Sequence, residues 1–149
     1  MRAVIQRVTD AKVNVNNQVI GKIGHGMMVL LGVEDKDDQK DCEYIVDKLV
    51  NLRIFEDDNQ KMNLSIKDIK GEILLVPQFT LCGDCRRGRR PSFSDSAPPN
   101  EANALYLMVK EELKNQGLTV ETGQFGADMD VSLTNQGPVT LLLDSSKLF

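Results

Sequence analysis

The sequence is poor in the residues that most often run hydrolytic and metal-dependent sites: it holds one histidine, His25, and three cysteines, Cys42, Cys82 and Cys85. With a single imidazole, no Ser-His-Asp relay can form unless His25 is its centre. That residue sits in Gly24-His25-Gly26, a turn-like setting. No grouping of histidines and carboxylates at metal-ligand spacing is visible, so neither a metal nor an organic cofactor is expected. An odd set of cysteines without a secretion signal argues against a disulfide framework. No apolar run approaches the roughly 18 residues that a membrane span needs. Met1-Arg2 leads straight into a patterned segment, so no signal or transit peptide is expected, and the expected location is the cytoplasm.

What is present fits one soluble domain over residues 1–149, with 41% hydrophobic and 27% charged residues. The formal net charge of -4 argues against a nucleic-acid partner on average, but the average hides an asymmetry. Arg86, Arg87, Arg89 and Arg90 fill four of five consecutive positions, and without them 14 basic residues face 22 acidic ones. A compact cationic spot on an acidic body suits a localised contact with a polyanion.

Hydrophobic periodicity predicts strands over Ala3–Val8, Ala11–Val15 and Val19–Ile23, with Asn16-Asn17 as a tight turn. Met27–Val33 and Glu72–Val76 read as strands buried on both faces. Asp38–Leu52 has helical spacing, with Cys42, Ile45, Val46, Leu49 and Val50 on one face. A second helix is predicted over Asn100–Gln116, with Leu105, Met108, Val109 and Leu113 as its stripe, Asn100 as cap and Gly117 as stop. Further strands are predicted near Leu118–Glu121, Asp130–Leu133 and Val139–Leu143. The expected fold class is α+β: a strongly curved, mostly antiparallel, barrel-like sheet carrying two helices.

Two segments place polar or special-backbone residues where a core strand meets a loop, a common setting for sites. They are Pro77-Gln78-Phe79-Thr80-Leu81 and Asn135-Gln136-Gly137-Pro138-Val139-Thr140. With these motifs the chain resembles the D-aminoacyl-tRNA deacylase family, whose hallmarks are Ser-Gln-Phe-Thr-Leu and Asn-x-Gly-Pro-x-Thr. The likeness covers the whole length. It includes Ala3-Val4-Ile5-Gln6-Arg7-Val8, Asn51-Leu52-Arg53-Ile54-Phe55, Arg90-Pro91-Ser92-Phe93 and Phe125-Gly126-Ala127-Asp128-Met129.

The resemblance implies a homodimeric hydrolase of aminoacyl-tRNA esters that proofreads chirality in translation. Backbone N–H groups around Gln78, Phe79 and Thr80 would stabilise the oxyanion. The Thr80 hydroxyl would position the substrate, since a threonine without a neighbouring base is a poor nucleophile. In the family the Gly137-Pro138 bond is cis and reaches into the partner's site, where its carbonyls exclude L-aminoacyl groups but let glycyl esters through. Arg7 matches the residue that holds those carbonyls. Pro77, Phe125, Met129 and Asn135 are the expected pocket residues. At position 77 the chain has Pro where the usual motif has Ser, which removes an N–H and a hydroxyl.

Arg86, Arg87, Arg89 and Arg90 are the expected tRNA contacts, through phosphate rather than base. Two other readings use single features. One is a non-catalytic RNA-binding module built on the arginine loop. The other is a dithiol or zinc protein built on Cys82-Gly83-Asp84-Cys85, although this pair enters a loop rather than opening a helix.

Overall fold

In the computed structural model, which describes residues 1–149, Arg2–Val15 is one 14-residue strand, β1, where two were expected. Thr9 and Asp10 are exposed but do not break it. Along one edge of β1, and antiparallel to it, run β2 (Gln18–Ile23) and β3 (Gly26–Gly32). Asn16 and Asn17 make the β1–β2 turn with φ of 49° and 62°, as a type I′ hairpin turn requires. Along the other edge runs β8 (Asp130–Asp144), also antiparallel. It too is one strand, where two with a loop between them were expected.

β6 (Glu72–Pro77) pairs with β3 in parallel, and β7 (Thr119–Thr122) pairs with β6 in parallel. The sheet is therefore antiparallel around β1 and parallel around β6. It curls until β2 meets β7: a Cβ on Gly21 would lie 2.5 Å from the Thr122 carbonyl oxygen, so only glycine permits the approach. The result is a nearly closed, curved sheet.

Strands buried on both faces need two cores, and two are present. Met28, Leu74 and Val76 point into the curl with Val8, Ala11, Val13 and Ile23. Met27, Val29, Leu31, Ile73 and Leu75 point outward, under two helices. Each fully buried Leu or Ile side chain contributes about 1.5–3 kcal/mol. α1 (Gln39–Asn51) starts at a capping box between Asp38 and Asp41 and buries the five residues its spacing indicated. α2 (Pro99–Asn115) starts at Pro98, not Asn100, without a side-chain cap. Its buried stripe is Ala102, Tyr106, Val109 and Leu113, one step round from the expected one, and Met108 is exposed. The Tyr106 hydroxyl sets this rotation by donating to the Leu75 carbonyl at 2.9 Å. A small hairpin, β4 (Phe55–Glu56) with β5 (Met62–Leu64), went unpredicted. No helix is long and apolar enough to cross a membrane.

Candidate functional site

β6 ends at Pro77, and the chain then winds into a 3-10 turn over Phe79–Cys82. Pro77 has no N–H, the Gln78 N–H donates to the Leu31 carbonyl at 2.8 Å, and the Leu81 N–H turns back to the Gln78 carbonyl at 3.3 Å. Between them stand the N–H groups of Phe79 and Thr80, the first two of the turn, which have no acceptor within it. The Gln78 side-chain amide donates to the Thr80 hydroxyl oxygen, which leaves the hydroxyl proton available to donate elsewhere.

The turn folds over Gly32, where a Cβ would lie 2.9 Å from the Gln78 carbonyl oxygen and 3.0 Å from Leu81 Cβ. Arg2 fastens it from the side. Its Nη1 donates to the Leu81 carbonyl at 3.1 Å, while Glu34 at 2.9 Å and Asp144 at 3.4 Å hold the guanidinium. Sequence reasoning missed both Arg2 and Gly32; nothing local marks either, because each acts on a segment about 50 to 80 positions away.

Beside the turn opens a cavity of about 680 Å³, within the range of small-molecule sites. Pro77, Gln78, Phe79, Phe93, Tyr106 and Phe125 line much of it. The other two expected pocket residues are not in its lining, although Met129 stays near Pro77, the two side chains meeting at Gly123. Met129 packs against the inner core, and its sulfur accepts the Gln124 N–H at 3.3 Å. Asn135 belongs to β8.

There the second motif forms a bulge. Gln6 of β1 pairs with Thr140 and Val8 with Asn135, so Arg7 alone faces the four residues Gln136–Val139. The Gly137-Pro138 bond at its tip is cis. Asn135 closes the base: its Oδ1 accepts the Val139 N–H and its Nδ2 donates to Thr140 Oγ1, both at 2.9 Å. Arg7, only 4% exposed, fills the space beneath. It donates to the carbonyls of Gln136 at 3.2 Å and Ile54 at 2.8 Å, and its Nη2 meets Glu56 at 3.4 Å. A Cβ on Gly137 would lie 2.5 Å from that same Nη2. The short hairpin thus has a part here, because Glu56 and the residue just before the hairpin, Ile54, bring two of the three acceptors.

The two motifs do not meet within one chain. Leu81 is fastened at Arg2 and the bulge at Arg7, and five strand residues span about 17 Å. His25 is remote from the turn as well. Gly26 pairs with Glu72 and Leu31 with Pro77, so His25 lies at the opposite end of β3 and β6, its ring edge-on to Phe55 at 5.4 Å.

The arginines occupy a loop closed by paired backbone bonds between Asp84 and Ser92, at 2.7 and 2.9 Å. Arg86 is clasped by Asp84 at 2.9 Å, which holds that carboxyl well below the usual range, at about 2. All four arginines are exposed. The cysteine pair is split: Cys85 is exposed, whereas Cys82 is buried, with its thiol on the Val33 carbonyl at 3.5 Å and pushed up by burial. A buried thiol held in its protonated form is a poor nucleophile, which weakens the dithiol reading.

Residues 4–144 match the family model described as D-Tyr-tRNA(Tyr) deacylase. A Thermosipho africanus (strain TCF52B) protein named D-aminoacyl-tRNA deacylase is 60% identical over 149 residues, all of both chains. A Clostridioides difficile (strain 630) protein of the same name is 59% identical, again over 149 residues and all of both chains. Among solved structures, one titled c-Myc DNA Unwinding Element Binding Protein superposes with a TM-score of 0.91 at 42% identity, over 97% of this chain and 98% of that one.

Proposed function

The chain belongs to the D-Tyr-tRNA(Tyr) deacylase family, and on that footing we propose that it hydrolyses the ester joining a D-amino acid to the terminal ribose of tRNA, working as a homodimer. Such an ester is already reactive, so positioning and oxyanion stabilisation suffice for catalysis. Water adds to the ester carbonyl and the resulting oxyanion is held by the N–H groups of Phe79 and Thr80. The carbon–oxygen bond to the ribose then breaks, and the departing ribose oxygen takes a proton, giving free amino acid and tRNA. The Thr80 hydroxyl, with its oxygen already accepting from Gln78, donates to the substrate rather than attacking it. The neighbouring ribose 2′-hydroxyl assists in place of a protein base.

Chirality is screened by Gly137-Pro138 of a second copy. Its main-chain carbonyls exclude an L side chain by contact, pass a D residue of any kind, and pass glycyl esters too. Arg86, Arg87, Arg89 and Arg90 hold the phosphates of tRNA, which requires no base sequence.

One observation carries this reading: a rigidly built bulge that stands about 17 Å along β1 from the turn it would have to serve. A pair of chains brings such elements together; a single chain does not. The test is to incubate the purified protein with D-tyrosyl-tRNA and L-tyrosyl-tRNA, follow ester loss, and measure native mass. Loss of the D ester alone, by a dimer, is the expected result. Equal loss of both by a monomer would overturn it, and tRNA binding without hydrolysis would leave an RNA-binding module.

A further inference from the structure

Phe79 and Phe93 are large apolar side chains left 58% and 38% exposed, side by side, with ring centroids 5.2 Å apart and planes at 65°. They are not loosely placed. The Phe93 ring rests on Gly83, where a Cβ would lie 2.9 Å from Phe93 Cε1. Ser96 braces both backbones, its N–H donating to the Phe93 carbonyl at 3.1 Å and its hydroxyl to the Phe79 carbonyl at 3.4 Å. A tilted, edge-type pair leaves ring face open to a third π-system. On one side of this step stand the Phe79 and Thr80 N–H groups. On the other, Ser92 closes the arginine loop against Asp84. The step thus joins the turn that carries Phe79 to the neck of the arginine loop, which Ser92 closes beside Phe93.

We propose that the Phe79–Phe93 step stacks an unpaired nucleobase of the tRNA acceptor end, that of the nucleotide preceding the one that carries the ester. This rests on the deacylase reading. The reacting nucleotide occupies the turn and the part of the cavity lined by Pro77, Tyr106 and Phe125, and the strand leading from it to the arginines crosses the exposed part lined by Phe79 and Phe93. Aromatic rings beside a cationic groove are the means by which single-stranded nucleic acid is held without reading its sequence, because every base has a π-face. The charge agrees: four exposed arginines belong to the loop whose neck, at Ser92, adjoins Phe93, on an otherwise acidic chain.

The test compares kcat/KM for D-tyrosyl-tRNA with that for D-tyrosyl-adenosine, which lacks the preceding nucleotide. Phe93→Ala and Phe93→Leu are expected to lower the ratio of the two about tenfold, and Phe93→Trp to restore it. A 2-aminopurine placed at the penultimate position should be quenched on binding the wild type and less so on binding Phe93→Leu. An unchanged ratio, with equal losses on both substrates or none, would overturn the proposal. So would a change of native mass in Phe93→Leu, since the step would then be covered by a second copy. If the wild type cleaves neither ester, the deacylase reading fails, and the quenching experiment still judges the step by itself.

Discussion

The bulge of β8 and the arginine loop are both short irregular segments rich in special residues, yet they are built in opposite ways. The bulge is bonded beneath and across its base, by Arg7 under it, Asn135 at its foot and Gly137 against the guanidinium, while its tip is exposed. The loop between Asp84 and Ser92 is closed at its neck and otherwise lies in solvent. In the proposed roles, a segment that judges shape has to be stiff, whereas one that grips a flexible phosphate chain gains from giving way. The comparison teaches that rigidity follows the bonding around a segment and not its residue composition.

Changes that break the bulge should therefore alter stability and selectivity together, while changes to the loop's arginines alter affinity alone. Arg7→Ala removes a buried cation and leaves the buried Ile54 carbonyl and the part-buried Gln136 carbonyl short of a donor. It is expected to destabilise by about 3–4 kcal/mol in chemical denaturation and to raise hydrolysis of the L ester relative to the D ester. Gly137→Ala drives a methyl into Arg7 Nη2 at a φ of 114°, a left-handed conformation that alanine tolerates poorly. About 2–3 kcal/mol should be lost, with a large fall in D-ester turnover. Asn135→Ala opens the base of the bulge without touching Arg7, and about 1–2 kcal/mol is expected in the same assay.

The loop should behave otherwise. Replacing Arg87, Arg89 and Arg90 together with Ala is expected to leave Tm unchanged, weaken tRNA binding about tenfold and reduce its salt slope by about 2 to 3. A fall in Tm comparable to that of Asn135→Ala would erase the contrast. The smallest effect belongs to Asp84→Asn. Asp84 is held at about 2, below its ordinary 3.8, so its contribution is complete above about pH 4 and fades as pH falls toward 2. In the variant that part of the acid unfolding curve should flatten, with no change near neutrality.

Much of this was legible in the order of residues, and the exceptions have physical causes. The face of α1 showed plainly, because its five buried residues repeat at helical spacing behind a capping acid. The stripe of α2 was misplaced because large aliphatic residues outweighed Tyr106, whose burial depends on a partner far off in Leu75. β1 and β8 looked broken at Thr9-Asp10 and at Asn135–Pro138, since polar and proline-containing stretches ordinarily end strands. Here the two strands continue by pairing with each other, and no local pattern encodes that. Both motifs were visible as motifs. Their separation along β1, the clamp of Ile54 and Glu56 on Arg7, and the fastening by Arg2 all depend on tertiary register.

That register has an evolutionary corollary. The bulge is counted off from both sides, Thr140 against Gln6 and Asn135 against Val8. Because side chains alternate along a strand, one residue inserted or deleted between Arg2 and Gln6 would turn Arg7 to the opposite face of the sheet. Length variation among relatives should therefore collect in the arginine loop and the β4–β5 hairpin tip, and be absent from the first eight positions.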